Sequence, residues 1–148
     1  MEIRPITADE THRVRRQLLY AQDERAEVSY PGDVDARALH LGVFVGVSLV
    51  GVASFIPQDL PSRTGGMRIR GVAVQPAIAR QGVGRKLLEQ GLSLCVEQGA
   101  AYVWCNARES SIPFFQRLGF KSISDLFDVE ATGLHRRMVK QFPAKEVS

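Results

Sequence analysis

Hydrophobic positions along the 148-residue chain follow two different periods. Alternating or β-branched apolar runs predict strands, and apolar residues that recur every third or fourth position predict amphipathic helices. The predicted strands are 2–6, 41–45, 49–56, 67–74, 102–105, 120–127 and 135–139, and the predicted helices are 7–20, 34–40, 83–98 and 112–118. This order predicts an α/β (α+β) domain with a central mixed, mostly antiparallel sheet of six to seven strands and helices on both faces.

The first predicted helix has a clear start and a clear apolar face. Thr7 and the acidic residues after it are typical of a helix N-terminus. Val14 and Leu18 lie on the apolar face, so we expect Arg15, like the arginines at 13 and 16, to face solvent. His40 is interpreted as a strand-end residue.

Residues 68–88 hold the most informative pattern in the chain. A strand and a short loop lead to Gly82 and Gly84, which stand immediately before a helix. Glycine allows close backbone approach and positive φ, and the first-turn N–H groups and dipole of a helix favour an anion. The segment therefore predicts a phosphate cradle. It lacks the Ser or Thr of a Walker loop, and Leu87 replaces the third glycine of a Rossmann loop.

Length, charge and cysteine content restrict the possible partners. The size predicts one domain at 1–142 with a frayed tail at 143–148. A net charge of +3 gives no indication of a nucleic-acid partner. The longest apolar run, 41–56, is shorter than the ~20 residues that cross a bilayer, so no membrane partner is expected. Cys95 and Cys105 lack metal or disulfide spacing, which predicts no metal site and a reducing, cytoplasmic location.

A second motif, Phe-Phe-Gln-Arg-Leu-Gly-Phe, occupies residues 114–120. Together with the glycine segment, it makes the chain resemble the GCN5-related N-acetyltransferase (GNAT) superfamily, most specifically over residues 70–120. The resemblance implies a single-domain GNAT-like fold and acetyl-coenzyme A as the cofactor. In that family the first motif grips the pyrophosphate of the cofactor, and the second lies beside the thioester.

The resemblance also implies which residues bind the cofactor. Val72 and Val74 would offer backbone groups to the pantetheine amides, and Phe115 would pack against the cofactor. The residues whose N–H groups would surround the pyrophosphate are Arg80, Gln81, Gly82, Val83, Gly84 and Arg85. The side chains of the two arginines could add charge there, with ordinary solvation as the alternative.

Two departures from the family pattern affect acid–base chemistry. Phe115 stands where the family usually carries tyrosine, and Arg68 stands where it often carries glutamate. His135 is the candidate general base in their place, and Asn106 could hydrogen-bond the substrate or pantetheine; a structural role is the alternative for both. Cys105 is either an acyl carrier or, by default, a buried thiol.

The implied reaction transfers an acetyl group from acetyl-coenzyme A to a primary amine of a small molecule. Arg68 and Arg70 share one face of their strand, which favours an acceptor that carries a carboxylate or phosphate. The acidic run at 23–27 could attract the ammonium or could be a solvated loop. The departures keep open a second hypothesis, a coenzyme A or acyl-coenzyme A binding module with weak or lost catalysis. A homodimer also stays open.

Overall fold

The computed structural model of the protein describes residues 1–129 and 132–143. The strands are β1 (Glu2–Pro5), β2 (Leu39–Val45), β3 (Ser48–Pro57), β4 (Gly66–Val74), β5 (Tyr102–Arg108), β6 (Lys121–Ser122), β7 (Phe127–Val129) and β8 (Gly133–Gln141). The helices are α1 (Ala8–Leu18), α2 (Pro76–Ala79), α3 (Val83–Glu97) and α4 (Ile112–Arg117), with a 3₁₀ turn at Glu109–Ser111. Apart from its first residue, the predicted tail at 143–148 lies outside the described residues.

The eight described strands form one sheet in the order β1-β2-β3-β4-β5-β8-β6, and β7 also pairs with β8. Among these strands only β4 and β5 pair in parallel. The mixed, mostly antiparallel sheet is therefore confirmed, with eight strands instead of six or seven. The predicted strand at 120–127 is divided into β6 and β7, because the two parts pair with β8 in different registers.

Helices cover both faces of the sheet, as predicted. α1 starts with a capping box, in which Thr7 Oγ1 accepts from the Glu10 N–H (3.2 Å) and Glu10 Oε1 accepts from the Thr7 N–H (3.0 Å). Val14 of α1 packs on one face of the sheet, whereas Leu87 and Leu88 of α3 belong to the larger core on the other face. No helix in the described ranges is long and apolar enough to cross a membrane.

The predicted helix at 34–40 is wrong, because this segment forms turns that lead into β2. The carboxylate of Asp35 accepts a hydrogen bond from the Arg37 N–H (2.8 Å), and the Ala38 N–H donates to the Asp35 carbonyl (2.9 Å). Side-chain to backbone bonds of this kind offer the chain an alternative to the helix.

The expectation that Arg15 faces solvent is also wrong, because its side chain is fully buried. Its Nη1 and Nη2 donate to the two carboxylate oxygens of Asp33 at 2.7 and 3.0 Å. Nη2 also donates to Ser54 Oγ (2.8 Å), and that hydroxyl bonds His40 Nδ1 (2.7 Å). A buried charge needs a partner of opposite sign, and Asp33 provides a bidentate one. We call these four residues the buried arginine network.

The network keeps its carboxylate ionised. Burial raises the pKa of Asp33, but the hydrogen bonds from Arg15 and from the Tyr30 N–H, together with the Arg15 charge, lower that pKa by more. The pKa of Asp33 therefore lies below its ordinary value, and at neutral pH the carboxylate and the guanidinium form an ion pair.

Candidate active site

β4 and β5 separate after three residue pairs. Their pairing stops at Arg68 and Trp104, although β4 continues to Val74 and β5 to Arg108. β4 changes course at Gly71, which has a φ of 63° and lies where the pairing with β3 shifts register. A glycine with positive φ at such a bulge bends one strand away from its neighbour. Beyond Arg68, the edge of β4 that faces β5 therefore has no partner among the described strands.

The cleft between the separated strands has a volume of about 470 Å³. Four of the predicted site residues line it: Val72, Asn106, Phe115 and His135. None of the Asp or Glu residues that the structure describes lines the cleft, and no group of three or more described His, Cys, Asp or Glu could hold a metal ion. The cleft is therefore lined by apolar, neutral polar and basic side chains.

The predicted phosphate cradle lies just beyond the end of β4, outside the cleft. Gly82 is the N-cap of α3 with a φ of 73°, and no side chain of the described residues caps this helix. A β-carbon at Gly82 would meet nothing within 4 Å. The first turn contains no acidic residue, so its N–H groups and the positive helix end face an open position. This arrangement suits an anion.

The side chains of the cradle differ in what they can reach. Val83 is fully buried, so its side chain cannot contact a ligand, whereas Arg80 and Arg85 are exposed. Arg85 Nε donates to Glu89 Oε1 at 2.6 Å, one turn along α3. Exposed ion pairs of this kind contribute little, so Glu89 would release the guanidinium at small cost.

Phe115 forms an apolar wall of the cleft. Its ring makes edge-to-face contacts with Phe114 and Phe120, each at a centroid distance of 5.3 Å, and it is 7% exposed. The two neighbouring rings fix its orientation. At this position the protein has a rigid hydrocarbon surface and no hydroxyl group.

His135 presents one unoccupied ring nitrogen. Its Nδ1 lies 2.8 Å from the Gly133 carbonyl oxygen, which can only accept, so Nδ1 carries the proton in the neutral ring. No described residue hydrogen-bonds Nε2, whose lone pair is thus available. The ring also stacks on Phe127 at a centroid distance of 6.1 Å. On the adjacent strand β5, Asn106 Oδ1 accepts from Arg137 Nε (3.1 Å), which leaves the amide N–H groups of Asn106 as donors.

Two tyrosines that the sequence pattern does not single out also line the cleft. The hydroxyl oxygens of Tyr20 and Tyr30 lie 2.7 Å apart. Burial is the main cause that raises the pKa of Tyr30, and the hydrogen bond and charge of Tyr20 raise it further, so Tyr30 stays protonated. The Tyr30 ring contacts the guanidinium groups of Arg15 and Arg70, whose Cζ atoms lie 4.0 and 4.1 Å from its centroid. These contacts join distant parts of the chain, so no local spacing could have revealed them.

Two further sequence hypotheses concern Cys105 and the acidic run at 23–27. Burial raises the pKa of the Cys105 thiol to about 12, so the thiolate that an acyl carrier needs is scarce at neutral pH. The acidic run does not line the cleft, and its acidic side chains are exposed. Arg16 instead binds the backbone carbonyls of Asp23 and Ala26, at 2.8 and 2.7 Å. A buried thiol and a solvated loop are the better interpretations.

Solved structures of known proteins share this architecture. Escherichia coli ElaA superposes with a TM-score of 0.78 at 17% identity, covering 95% of this chain and 99% of ElaA. An aminoglycoside 6′-N-acetyltransferase in complex with coenzyme A superposes with a TM-score of 0.77 at 14% identity, covering 99% of this chain and 100% of that protein. At these identities the likeness shows the fold.

Sequence comparison gives the family. The "Uncharacterized N-acetyltransferase YitI" of Bacillus subtilis (strain 168) is 31% identical over 142 residues, which are 95% of each chain. Residues 4–120 match the description of the acetyltransferase (GNAT) family. Together with the fold and the cleft, this match shows that the protein belongs to the acetyltransferase (GNAT) family.

Proposed function

We propose that the protein transfers an acetyl group from acetyl-coenzyme A to the primary amine of a small molecule. The observation that carries the proposal is that two features which suit this cofactor follow each other along the chain. The glycine-headed N-terminus of α3 follows the strand whose free edge lines the cleft, with only the short helix α2 and a turn between them. An extended ligand with a phosphate end and an amide-containing arm would match both.

The residues present fit such a cofactor. The free edge of β4 at Val72 and Val74 can pair with the pantetheine amides as a strand would. The N–H groups of Gly82, Gly84 and Arg85 can bind the pyrophosphate, since the space beside Gly82 is open. The N–H groups of Arg80 and Gln81 already donate to the Ile78 carbonyl, so these two residues could contribute only after that bond is released. Phe115 offers an apolar wall to the end of the arm. Acetyl-coenzyme A supplies an activated thioester acyl group when bound.

The chain's own residues supply a base but no dedicated acid. In this proposal Nε2 of His135 takes the proton from the attacking amine, and the Asn106 amide N–H groups orient the acceptor or the acyl oxygen. Phe115 cannot protonate a leaving thiolate. A thiol has an ordinary pKa near ~8.5, so release without a dedicated acid is feasible at neutral or mildly alkaline pH.

Turnover decides between this proposal and the binding-module alternative. We expect thiol release from acetyl-coenzyme A, followed over a panel of amines, amino acids and peptides, to exceed background hydrolysis for at least one acceptor. Mass spectrometry of that acceptor should show a gain of one acetyl group. Tight binding of acetyl-coenzyme A with no turnover of any acceptor would favour a coenzyme A binding module.

Replacing His135 by glutamine should lower kcat/KM by about 100-fold or more, since general-base catalysis typically contributes that much. His12→Gln is the control, because His12 lies on α1 away from the cleft. An unchanged kcat/KM in His135→Gln would remove His135 as the base.

A further inference from the structure

Three arginine side chains lie close together beside the cleft without an acidic partner. Arg68 and Arg70 come from β4, and Arg137 comes from β8. None of the ion pairs found among the described residues includes any of the three. Like charges in one place repel each other, so the arrangement is unfavourable unless something negative joins it.

The guanidinium groups are held in place by packing. Cζ of Arg68 and Cζ of Arg137 lie 4.8 and 4.9 Å from the ring centre of Trp104, so both stack on the same side chain. Asn106 accepts from Arg137 Nε and fixes that guanidinium further. Arg70 stacks on Tyr30. Preorganised guanidiniums lose little entropy when they bind an oxyanion.

Arg68 shows most directly that a partner is lacking. Its Nε is shielded from solvent and has no hydrogen-bond partner among the described residues. Its Nη1 makes only a long bond, 3.5 Å, to Gln58 Oε1. Burial, then repulsion from Arg70 and Arg137, lowers the pKa of Arg68 to about 10, and the group remains a cation at neutral pH. A ligand oxygen would satisfy the Nε and offset the repulsion.

The phosphates of the cofactor are too far away to be that ligand. The cradle begins beyond Val74, and Arg68 lies six residues earlier on the same strand. A strand rises about 3.3 Å per residue, so the two positions are roughly 20 Å apart. His135 is much nearer, because it precedes Arg137 by two residues on β8 and lies on the same side, with about 7 Å between the α-carbons.

We propose that Arg68 and Arg137, with Arg70 beside them, bind an oxyanion carried by the acceptor itself, only a few bonds from its reacting amine. The inference rests on the proposed function. With the amine at His135 and the oxyanion at the arginines, the separation fits a small amino acid or an amino alcohol phosphate. Guanidinium groups bind carboxylates and phosphates through the same two parallel hydrogen bonds.

Matched acceptor pairs test the inference. Each L-amino acid is compared with its primary amide, and O-phosphoethanolamine with ethanolamine, with acetyl-coenzyme A as the donor. We expect kcat/KM to be at least tenfold higher for the anionic member of at least one pair, and that pair identifies the group as carboxylate or phosphate. Arg68→Gln and Arg137→Gln should each reduce this kcat/KM tenfold or more, mainly through KM, and should reduce it by a larger factor than the kcat/KM of the neutral member.

The control is Arg37→Gln, which removes the same charge from an exposed loop outside the cleft and should change neither member. Arg68→Lys keeps the charge but loses the planar fork, so it should restore part of the preference. An unchanged coenzyme A thermal shift shows that a variant is folded. Equal turnover of both members, or equal losses in the variants, would overturn the inference and leave the proposed function standing.

If no acceptor turns over, the proposed function fails, and calorimetric titration with the same amines decides the subsite. Binding of an anionic amine that Arg68→Gln and Arg137→Gln weaken at least tenfold, with no binding of its neutral partner, would uphold the oxyanion subsite. Absence of binding, or binding that the variants leave unchanged, would refute it.

Discussion

Replacing Gly82 by valine is expected to abolish the thermal shift that coenzyme A gives the wild-type protein. Gly82 has a φ of 73°, and the space beside its α-carbon is open. A branched side chain would occupy the position where a phosphate approaches the backbone. At about 100 times its Kd, a ligand stabilises by about 2.7 kcal/mol. For a domain of this size that corresponds to about 5–10 °C in Tm, which the variant should lose.

Gly99→Val is the matched control for this variant. Gly99 follows the other end of α3 with a φ of 85°, and a β-carbon there also meets nothing within 4 Å. Both valines adopt an unfavourable backbone conformation at a cost of about 1–3 kcal/mol, so the Tm without ligand should fall similarly in both. Only Gly82→Val should lose the coenzyme A shift. Loss in both variants, or in neither, would contradict the phosphate cradle.

Replacing Arg15 by methionine is expected to reduce the free energy of unfolding by about 3–5 kcal/mol, because it removes one partner of a buried ion pair. Asp33, which is only 4% exposed, would lose both guanidinium hydrogen bonds, and Ser54 would lose a donor. In a thermal melt the loss corresponds to a decrease of about 10 °C in Tm. Urea unfolding measures the free energy directly.

Arg13→Met provides the control on the same helix. Arg13 is exposed, and its bonds to Gln17 and to the Leu49 carbonyl are 3.1 and 3.3 Å long, so its loss should cost about 1 kcal/mol or less. The dependence of stability on pH gives a second test of the ion pair. Because folding lowers the pKa of Asp33, stabilisation by the pair is present above about pH 4 and is lost as pH falls below it. A stability difference between wild type and Arg15→Met that persists in acid would contradict the ion-pair explanation.

The periods of hydrophobicity were sufficient to predict most of the fold, because burial of an apolar face is a local property of each element. They failed where a polar side chain is buried. Arg15 carries a charge and was therefore expected to be exposed, and the partner that allows its burial, Asp33, lies 18 residues further along the chain, just before the segment wrongly predicted to be helical. Hydrophobicity also could not predict that the strand expected at 120–127 is divided into β6 and β7, since the division depends on the register of each part against β8.

The candidate site likewise has one half that the local sequence could predict and one half that it could not. The cofactor half consists of one continuous segment, β4 to α3, whose glycines indicate a phosphate site from the local sequence alone. The acceptor half is assembled from separate strands and the segment after α1. The sheet order and long-range packing place Arg137 and Tyr30 at the site, so no local sequence motif could predict either residue.

Gly71 also limits how the acceptor preference of this protein can change. A β-carbon there would come within 2.9 Å of Tyr30 Cε2 and 3.0 Å of Arg15 Nε, so the bulge that opens the cleft rests against the buried arginine network. No hydrogen bond in the described ranges links that network to β8. Directed evolution of a new acceptor range should therefore find its tolerated substitutions on β8 at Arg137, with His135 retained as the base, whereas changes around Gly71 would lose stability before they gain activity.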